Sequence, residues 1–294
     1  SPFKQTEFYG KPLAGLYELL TNPNTRLADF KSLTTELTLE QSMHVWLRGG
    51  YPEPLLESLE TPLFHGQWMD NYLSSYINRD IRSLFPRLNI HNYRRFLTLL
   101  AQFSGHQLNM SDMARALEVS VPTIKDYLDI VHQTFLWRNI EPYVRNPLKK
   151  VQKANKGFFR DSGVLHHLLR INALDQLQLH PVAGFSFESF VTEELIRGLQ
   201  ATLATRLEFS YYRTIDKSEV DLVIEGDFGI FSVEASVFTN VNHNASFTVF
   251  CFLGFISDGR LHIGILLHHN HRGGDNEENE QQEDHVDHRR HIDL

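Results

Sequence analysis

The chain has 294 residues, 41% of them hydrophobic, with 28 Lys and Arg against 36 Asp and Glu and one Cys, enough apolar material for one large or two ordinary domains. Its longest apolar run, Val249 to Ile256, falls far short of the roughly 18–20 residues that span a bilayer, so no membrane partner is expected. A lone Cys251 excludes a disulfide framework and a thiolate zinc site, and with no basic, apolar leader at its start the chain is expected in the cytoplasm.

From Thr38 to Gln102 the apolar residues recur at three- and four-residue spacing, broken at Gly49-Gly50-Tyr51-Pro52 and near Pro86. This predicts a helical region over 38–107, in which Trp68, Tyr72 and Tyr76 share one buried stripe with Leu73 and Ile77. Residues 108–170 change character. Ser111 is expected to cap a first helix through Ala114 and Leu117, and Glu118-Val119-Ser120 to turn the chain. Ser120 then caps a second helix, Val121 to Gln133, with Pro122 in its first turn, where the missing N–H costs nothing. That is a helix-turn-helix signature. Phe135 to Ile140 as a strand, Tyr143 to Gly157 as a basic loop and Phe158-Phe159 as a returning strand complete a predicted winged helix.

The wing carries the positive charge. Between Arg138 and Arg170 stand eight bases and two acids, Glu141 and Asp161, within an acidic protein. Such a patch suits phosphate neutralisation, and Arg145, Lys149, Lys150, Lys153 and Lys156 are the expected contacts with duplex DNA. The second helix carries Asp126 and Asp129 beside Lys125 and His132, a poor surface to lay against phosphates.

Residues 171–267 read as a mixed α/β unit: a helix from about Phe185 to Leu203, then strands at Glu208 to Arg213, Val220 to Glu225 and Ile230 to Glu234. Two later strands, Thr248 to Ile256 and Arg260 to Leu267, flank the hairpin signal Asp258-Gly259. The fold class is α+β. Residues 268–294 hold eight acids, three bases and six histidines, and are expected to form a disordered tail.

No G-x-x-x-x-G-K-[ST] loop, G-x-S-x-G elbow or H-E-x-x-H pair occurs, so ATP, serine-hydrolase and zinc-protease chemistry have no motif here. The candidate catalytic set is Glu188 on the long helix, Asp221 in Glu219-Val220-Asp221-Leu222 and Glu234 in Val233-Glu234-Ala235-Ser236. Acids inside apolar strands are costly unless paired or metal-bound. With Asp221 and Glu234 as ligands, Mg²⁺ is the expected cofactor of a phosphodiester-cleaving site. The bland alternative pairs both acids with Arg213 or solvent; Glu193 and Glu194 read as solvated. In nucleases of the restriction-endonuclease-like fold the pattern ends Glu-x-Lys, whereas Ser236 stands at that place here. Losing such a donor costs about 10²- to 10³-fold in rate, so the site is expected to be vestigial; an active reading would need Lys217 instead.

A wider resemblance follows from the motifs in order. Gly49-Gly50-Tyr51-Pro52-Glu53, Trp68, Tyr72, Arg79-Asp80-Ile81, Leu108-Asn109, Val121-Pro122-Thr123-Ile124, Tyr127-Leu128, Glu141-Pro142-Tyr143, Asn146, Asp161-Ser162-Gly163, Phe187-Glu188-Ser189-Phe190-Val191, Tyr212-Arg213-Thr214 and Glu219-Val220-Asp221 resemble the C-terminal part of a prokaryotic AAA-type ATPase family carrying the domain of unknown function 4143. The likeness runs over about residues 38–235, with residues 1–37 resembling the end of the ATPase core. It implies a winged helix followed by a restriction-endonuclease-like domain. It also implies an ATP site upstream of this chain, so ATP is not expected to bind here. The family's crossover helix has no counterpart in the nine residues Val237 to Ala245. The reading is a DNA-associated portion of such an ATPase; the alternative is a protein-interaction or oligomerisation module, which the 12% aromatic content favours.

Overall fold

The computed structural model describes residues 4–33, 37–57, 63–144, 155–213, 219–240, 246–257 and 260–271, the backbone alone at residues 27, 31 and 32 and from residue 237 onward. Two short helices, α1 (Gln5–Phe8) and α2 (Gly15–Thr21), precede a helical layer of α3 (Leu39–Arg48), α4 (Pro52–Glu57), α5 (Phe64–Ser75), α6 (Arg82–Leu84) and α7 (Ile90–Ala101). Thr38 and Gln41 start α3 with reciprocal caps: Gln41 N–H donates to Thr38 Oγ1 (3.2 Å) and Thr38 N–H to Gln41 Oε1 (2.9 Å), which satisfies two donors that a helix start leaves open. Along α5 and the π-helical turn Tyr76–Ile81, Leu73, Tyr76 and Ile77 are buried as the spacing predicts. Trp68 and Tyr72 are half-buried at the stripe's margin, stacked at 5.3 Å with Tyr51 against both.

After a two-residue strand β1 (His106–Gln107), helices α8 (Met110–Leu117) and α9 (Val121–Gln133) pack together across a tight turn. Glu118 takes the left-handed conformation there (φ 56°), and Ser120 accepts from Thr123 N–H at 3.3 Å with Pro122 in the first turn. The first cap differs from the sequence reading. Asn109, not Ser111, caps α8, because its carboxamide oxygen reaches the N–H groups of both Ser111 and Asp112 (3.0 and 3.3 Å).

The hairpin strands β2 (Trp137–Pro142) and β3 (Lys156–Phe159) join the later strands in one eight-stranded sheet of order β1-β3-β2-β4-β5-β6-β7-β8. Here β4 is Glu208–Arg213, β5 Glu219–Gly226, β6 Gly229–Asn240, β7 Ser246–Ser257 and β8 Arg260–His271. All pairings are antiparallel except β2 with β4, where Glu141 lies beside Ser210 and Pro142 beside Tyr211. The expected boundary between 108–170 and 171–267 therefore cuts through a sheet. The physical reason is the edge of β2, whose backbone groups find partners on β4 instead of water. The crossover from β2 to β4 carries α10 (Ser162–Leu168), α11 (Leu174–Leu179) and α12 (Ala183–Gln200), ample length for a parallel connection.

Helix α12 is the spine. One side meets the helical layer, where Phe187 and Phe190 enter a core with Trp46, Met69, Phe96 and Trp137. The other packs Leu195 and Leu199 on Leu222, Ile224, Phe231 and Val233 of the sheet, with Tyr17, Leu20 and Phe30 from the N-terminal segment closing that core. Tyr17 OH donates to Glu194 O at 2.9 Å, and its ring lies where any side chain on Gly198 would stand. Tyr17, Leu20 and Phe30 thus belong to this fold's core. Strand β8 continues to His271, four residues past the expected edge of the tail, and 272–294 lie outside the described residues. Likewise β7 pairs with β8 around Asp258-Gly259, themselves outside the described residues. Among the described residues no helix is long and apolar enough to cross a membrane.

Candidate functional site

Two carboxylates of α12, Glu188 and Glu193, are separated by five positions, which at 3.6 residues per turn sets them about 140° apart around the axis. Each meets a different part of the β2/β3 hairpin.

Glu188 faces Lys156, the first residue of β3. The Lys156 ammonium lies 3.3 Å from Glu188 Oε2, 2.8 Å from Glu219 Oε1 and 3.7 Å from Asp221 Oδ1, and the residue is 6% exposed. Asp221 reaches this cluster because β5 bulges. Ser210 and Tyr212 of β4 stand opposite Val223 and Val220 of β5, so an extra residue is accommodated at Asp221-Leu222. A bulge re-aims side chains: Leu222 points into the core under α12 and Asp221 toward α12 as well. Ala235 N–H donates to Asp221 Oδ2 at 2.9 Å, and Arg213 approaches Glu219 Oε2 at 3.7 Å from a rim position.

The electrostatics follow from burial. Desolvation, then the Asp221 charge, pushes the Glu188 carboxyl up to about 8 against the pull of Lys156. Burial raises Asp221 as well, opposed first by Lys156. For Lys156 burial acts downward, but the charges of Glu188, Asp221 and Glu219 outweigh it and hold the ammonium above its ordinary value.

The second cluster is the inverse of the first. Glu193 is 1% exposed and accepts from the guanidinium of Arg138 through Nε, and through Nη2 at 3.2 Å. Arg160 Nε lies 3.5 Å and Arg197 Nε 3.3 Å from the same carboxylate, and Arg197 Nη2 donates to Arg160 O at 3.2 Å. Beside it Glu194 accepts from Gln5 N–H at 3.1 Å, and burial raises its carboxyl to about 7. Glu193 is therefore a buried hub where a solvated residue was expected. Helical periodicity explains why: it shares its stripe with Ser186, Ser189, Phe190 and Ile196, all buried.

These placements redraw the predicted site. Glu188 and Asp221 come together, whereas Glu234 does not join them. Val233 pairs with Leu222 in the core facing α12, so the pleat sends Glu234 and Ser236 to the opposite face of the sheet, where Glu234 is exposed. Lys156, expected on phosphates, is turned inward with Arg138 and Arg160. Arg145, Lys149, Lys150, Lys153 and Lys217 lie outside the described residues. Glu219 was missed altogether, and Lys156 was expected on phosphates and not in this cluster. The signal was present in both cases: a lysine opening the apolar run Gly157-Phe158-Phe159, and an acid two residues before Asp221.

The cluster does not fit the divalent cation expected for Asp221 and Glu234. The two supposed ligands face opposite sides of β5 and β6, and among the described residues no group of three His, Cys, Asp or Glu side chains is arranged to hold a metal ion. The Lys156 ammonium stands between the carboxylates instead.

Comparison with known proteins gives two family matches, to the domain of unknown function DUF8612 at residues 39–175 and to the domain of unknown function DUF4143 at residues 183–270. The likeness to DUF4143 is thus confined to the C-terminal unit, and a different family covers the helical layer and hairpin. Two uncharacterized proteins, from Mycobacterium bovis and Mycobacterium tuberculosis, are each 30% identical over 213 residues, 72% of this chain and 45% of the relative. The chain spans less than half the length of these curated relatives. No solved structure matches.

Proposed function

We propose that this chain is a DNA-associated portion of a longer protein of AAA-type ATPase kinship. In this reading α8, α9 and the β2/β3 hairpin work as a winged helix, and α12 with the later strands as a restriction-endonuclease-like unit whose cleavage site is degenerate. The observation that carries it is the meeting of a helix carboxylate, Glu188, with a strand carboxylate, Asp221, beside the β3 lysine that ends the basic segment. The match to DUF4143 at residues 183–270 supports the kinship. The turning of Glu234 away from Asp221 supports degeneracy, since cleavage would need both on one face.

Arg145, Lys149, Lys150 and Lys153 are the residues proposed to neutralise phosphates. Affinity of a labelled duplex of about 30 base pairs, read by fluorescence anisotropy, is expected to fall steeply between about 50 and 200 mM salt, and to weaken further in Lys149/Lys150/Lys153→Ala. A salt-independent signal, or none at low salt, overturns the proposal.

One observation favours the second reading, a module that binds protein. Arg138, Lys156 and Arg160 spend their charge on buried acids, while Asp126 and Asp129 are exposed on α9. Both features shrink the positive surface offered to DNA.

A further inference from the structure

Arg138, Lys156 and Arg160 of the hairpin are turned onto buried acids, but positive charge is exposed elsewhere. Residues 71–102 hold five bases, Arg79, Arg82, Arg87, Arg94 and Arg95, against one acid, Asp80, and all five arginines are exposed. The π-helical turn Tyr76–Ile81 buries Ile77 and Ile81 and leaves Asn78, Arg79 and Asp80 between them in solvent, with Arg82 next in the chain. On α7 the core takes Tyr93, Phe96, Leu97 and Leu100, so the helical period turns His91, Arg94, Arg95 and Thr98 outward. One hydrogen bond joins the two elements. Arg94 Nη2 donates to Asn78 Oδ1 at 3.0 Å, and Asn78 Nδ2 donates to Ser74 Oγ at 3.1 Å. The Arg94 guanidinium is thereby held beside the turn that carries Arg79 and Arg82, on a neutral partner. Among the described residues only Arg79 of the five is ion-paired, to Asp80 at 2.8 Å.

We infer that this arginine face, built from the π-helical turn and the outer side of α7, is a contact surface for the phosphate backbone of duplex DNA, separate from the wing. Guanidinium groups present forked donors that match phosphate oxygens. The exposed Ser83, Thr98 and Gln102 beside them are side chains of the kind that share in backbone contacts without reading sequence. A protein partner is met instead by a centre of aromatic and apolar side chains, and Leu84 is the one large apolar side chain exposed among the described residues of this face. The inference rests on the proposed association with DNA and adds to it a surface that the hairpin does not supply.

The test uses the full chain and a labelled duplex of about 30 base pairs, followed by fluorescence anisotropy between about 50 and 200 mM salt. Arg82/Arg94/Arg95→Gln is expected to weaken binding at least about tenfold at low salt and to lower the slope of log affinity against log salt by about 2–3, since each lost phosphate contact removes about 0.9. Lys11/Arg26/Arg206→Gln takes the same charge from exposed positions elsewhere and is expected to stay within about twofold. Equal weakening in both variants overturns the inference, because net charge alone then accounts for it. Binding that Arg82/Arg94/Arg95→Gln leaves intact and Lys149/Lys150/Lys153→Ala abolishes overturns the inference while the proposed function stands. A loss confined to the arginine variant upholds the inference and removes the wing from the contact. No binding by the unaltered chain at low salt overturns both.

Discussion

Five positions apart on α12, Glu188 shares one lysine with two other carboxylates, while Glu193 is shared by three arginines. Both clusters tie the β2/β3 hairpin to α12, and both bury more charge of one sign than of the other. They differ in how that excess is relieved. A carboxylate can take a proton, and Glu188, raised to about 8, does so near neutral pH. Guanidinium groups stay charged at any pH the fold experiences, so the excess around Glu193 is permanent and its carboxylate irreplaceable. The arginine cluster is a fixed strut, and the lysine cluster is an adjustable one. Adjustable charge is what a functional site requires.

The sharpest way to break this contrast is to remove each hub. Glu193→Ala leaves three partly buried guanidinium groups without their common partner and is expected to cost about 3–5 kcal/mol, the usual penalty for uncompensated buried charge. Urea unfolding measures it, and a loss below about 1 kcal/mol would mean that solvent or another acid already serves the arginines. Lys156→Met is expected to cost less, up to about 3 kcal/mol near pH 8, because the carboxylates can bind protons in place of the ammonium. The same variant is expected to recover stability as the pH falls toward 6. An equal cost at both values would make the cluster as rigid as its neighbour.

Much of this architecture was legible in local sequence. Strand β4 has the expected bounds, and the helix over α12 and the α8–α9 turn are where periodicity puts them, because short-range patterning fixes such elements. Less was legible in what depends on pairing. Nothing local says that β2 would dock in parallel on β4, or that Asn109 would outcompete Ser111 for the first N–H groups of α8. The site was half legible for the same reason. Glu188 and Asp221 stood out as acids in apolar surroundings. The β5 bulge that aims Asp221 at α12, and the pleat that turns Glu234 away, exist only once β4, β5 and β6 are in register. A count of bases in the wing likewise could not tell that Arg138, Lys156 and Arg160 point inward.

The adjustable character of the Glu188 cluster can be read from stability between pH 6.5 and 8. Between its ordinary value of 4.5 and about 8, the folded chain holds a proton on Glu188 that the unfolded chain has released, and Glu194 acts likewise up to about 7. Stability from these groups is present below that window and lost as pH rises through it. His65 and His166, both lowered to about 4 by burial, oppose this trend only below about 6.5, where the unfolded histidines protonate. The most direct measurement is therefore urea unfolding of the unaltered chain and of Glu188→Gln at pH 6.5 and 8. The expected result is a clear loss of stability at pH 8 that shrinks in Glu188→Gln. Equal stability at both pH values, or a loss that Glu188→Gln leaves untouched, would contradict the assignment of the adjustable charge to this cluster.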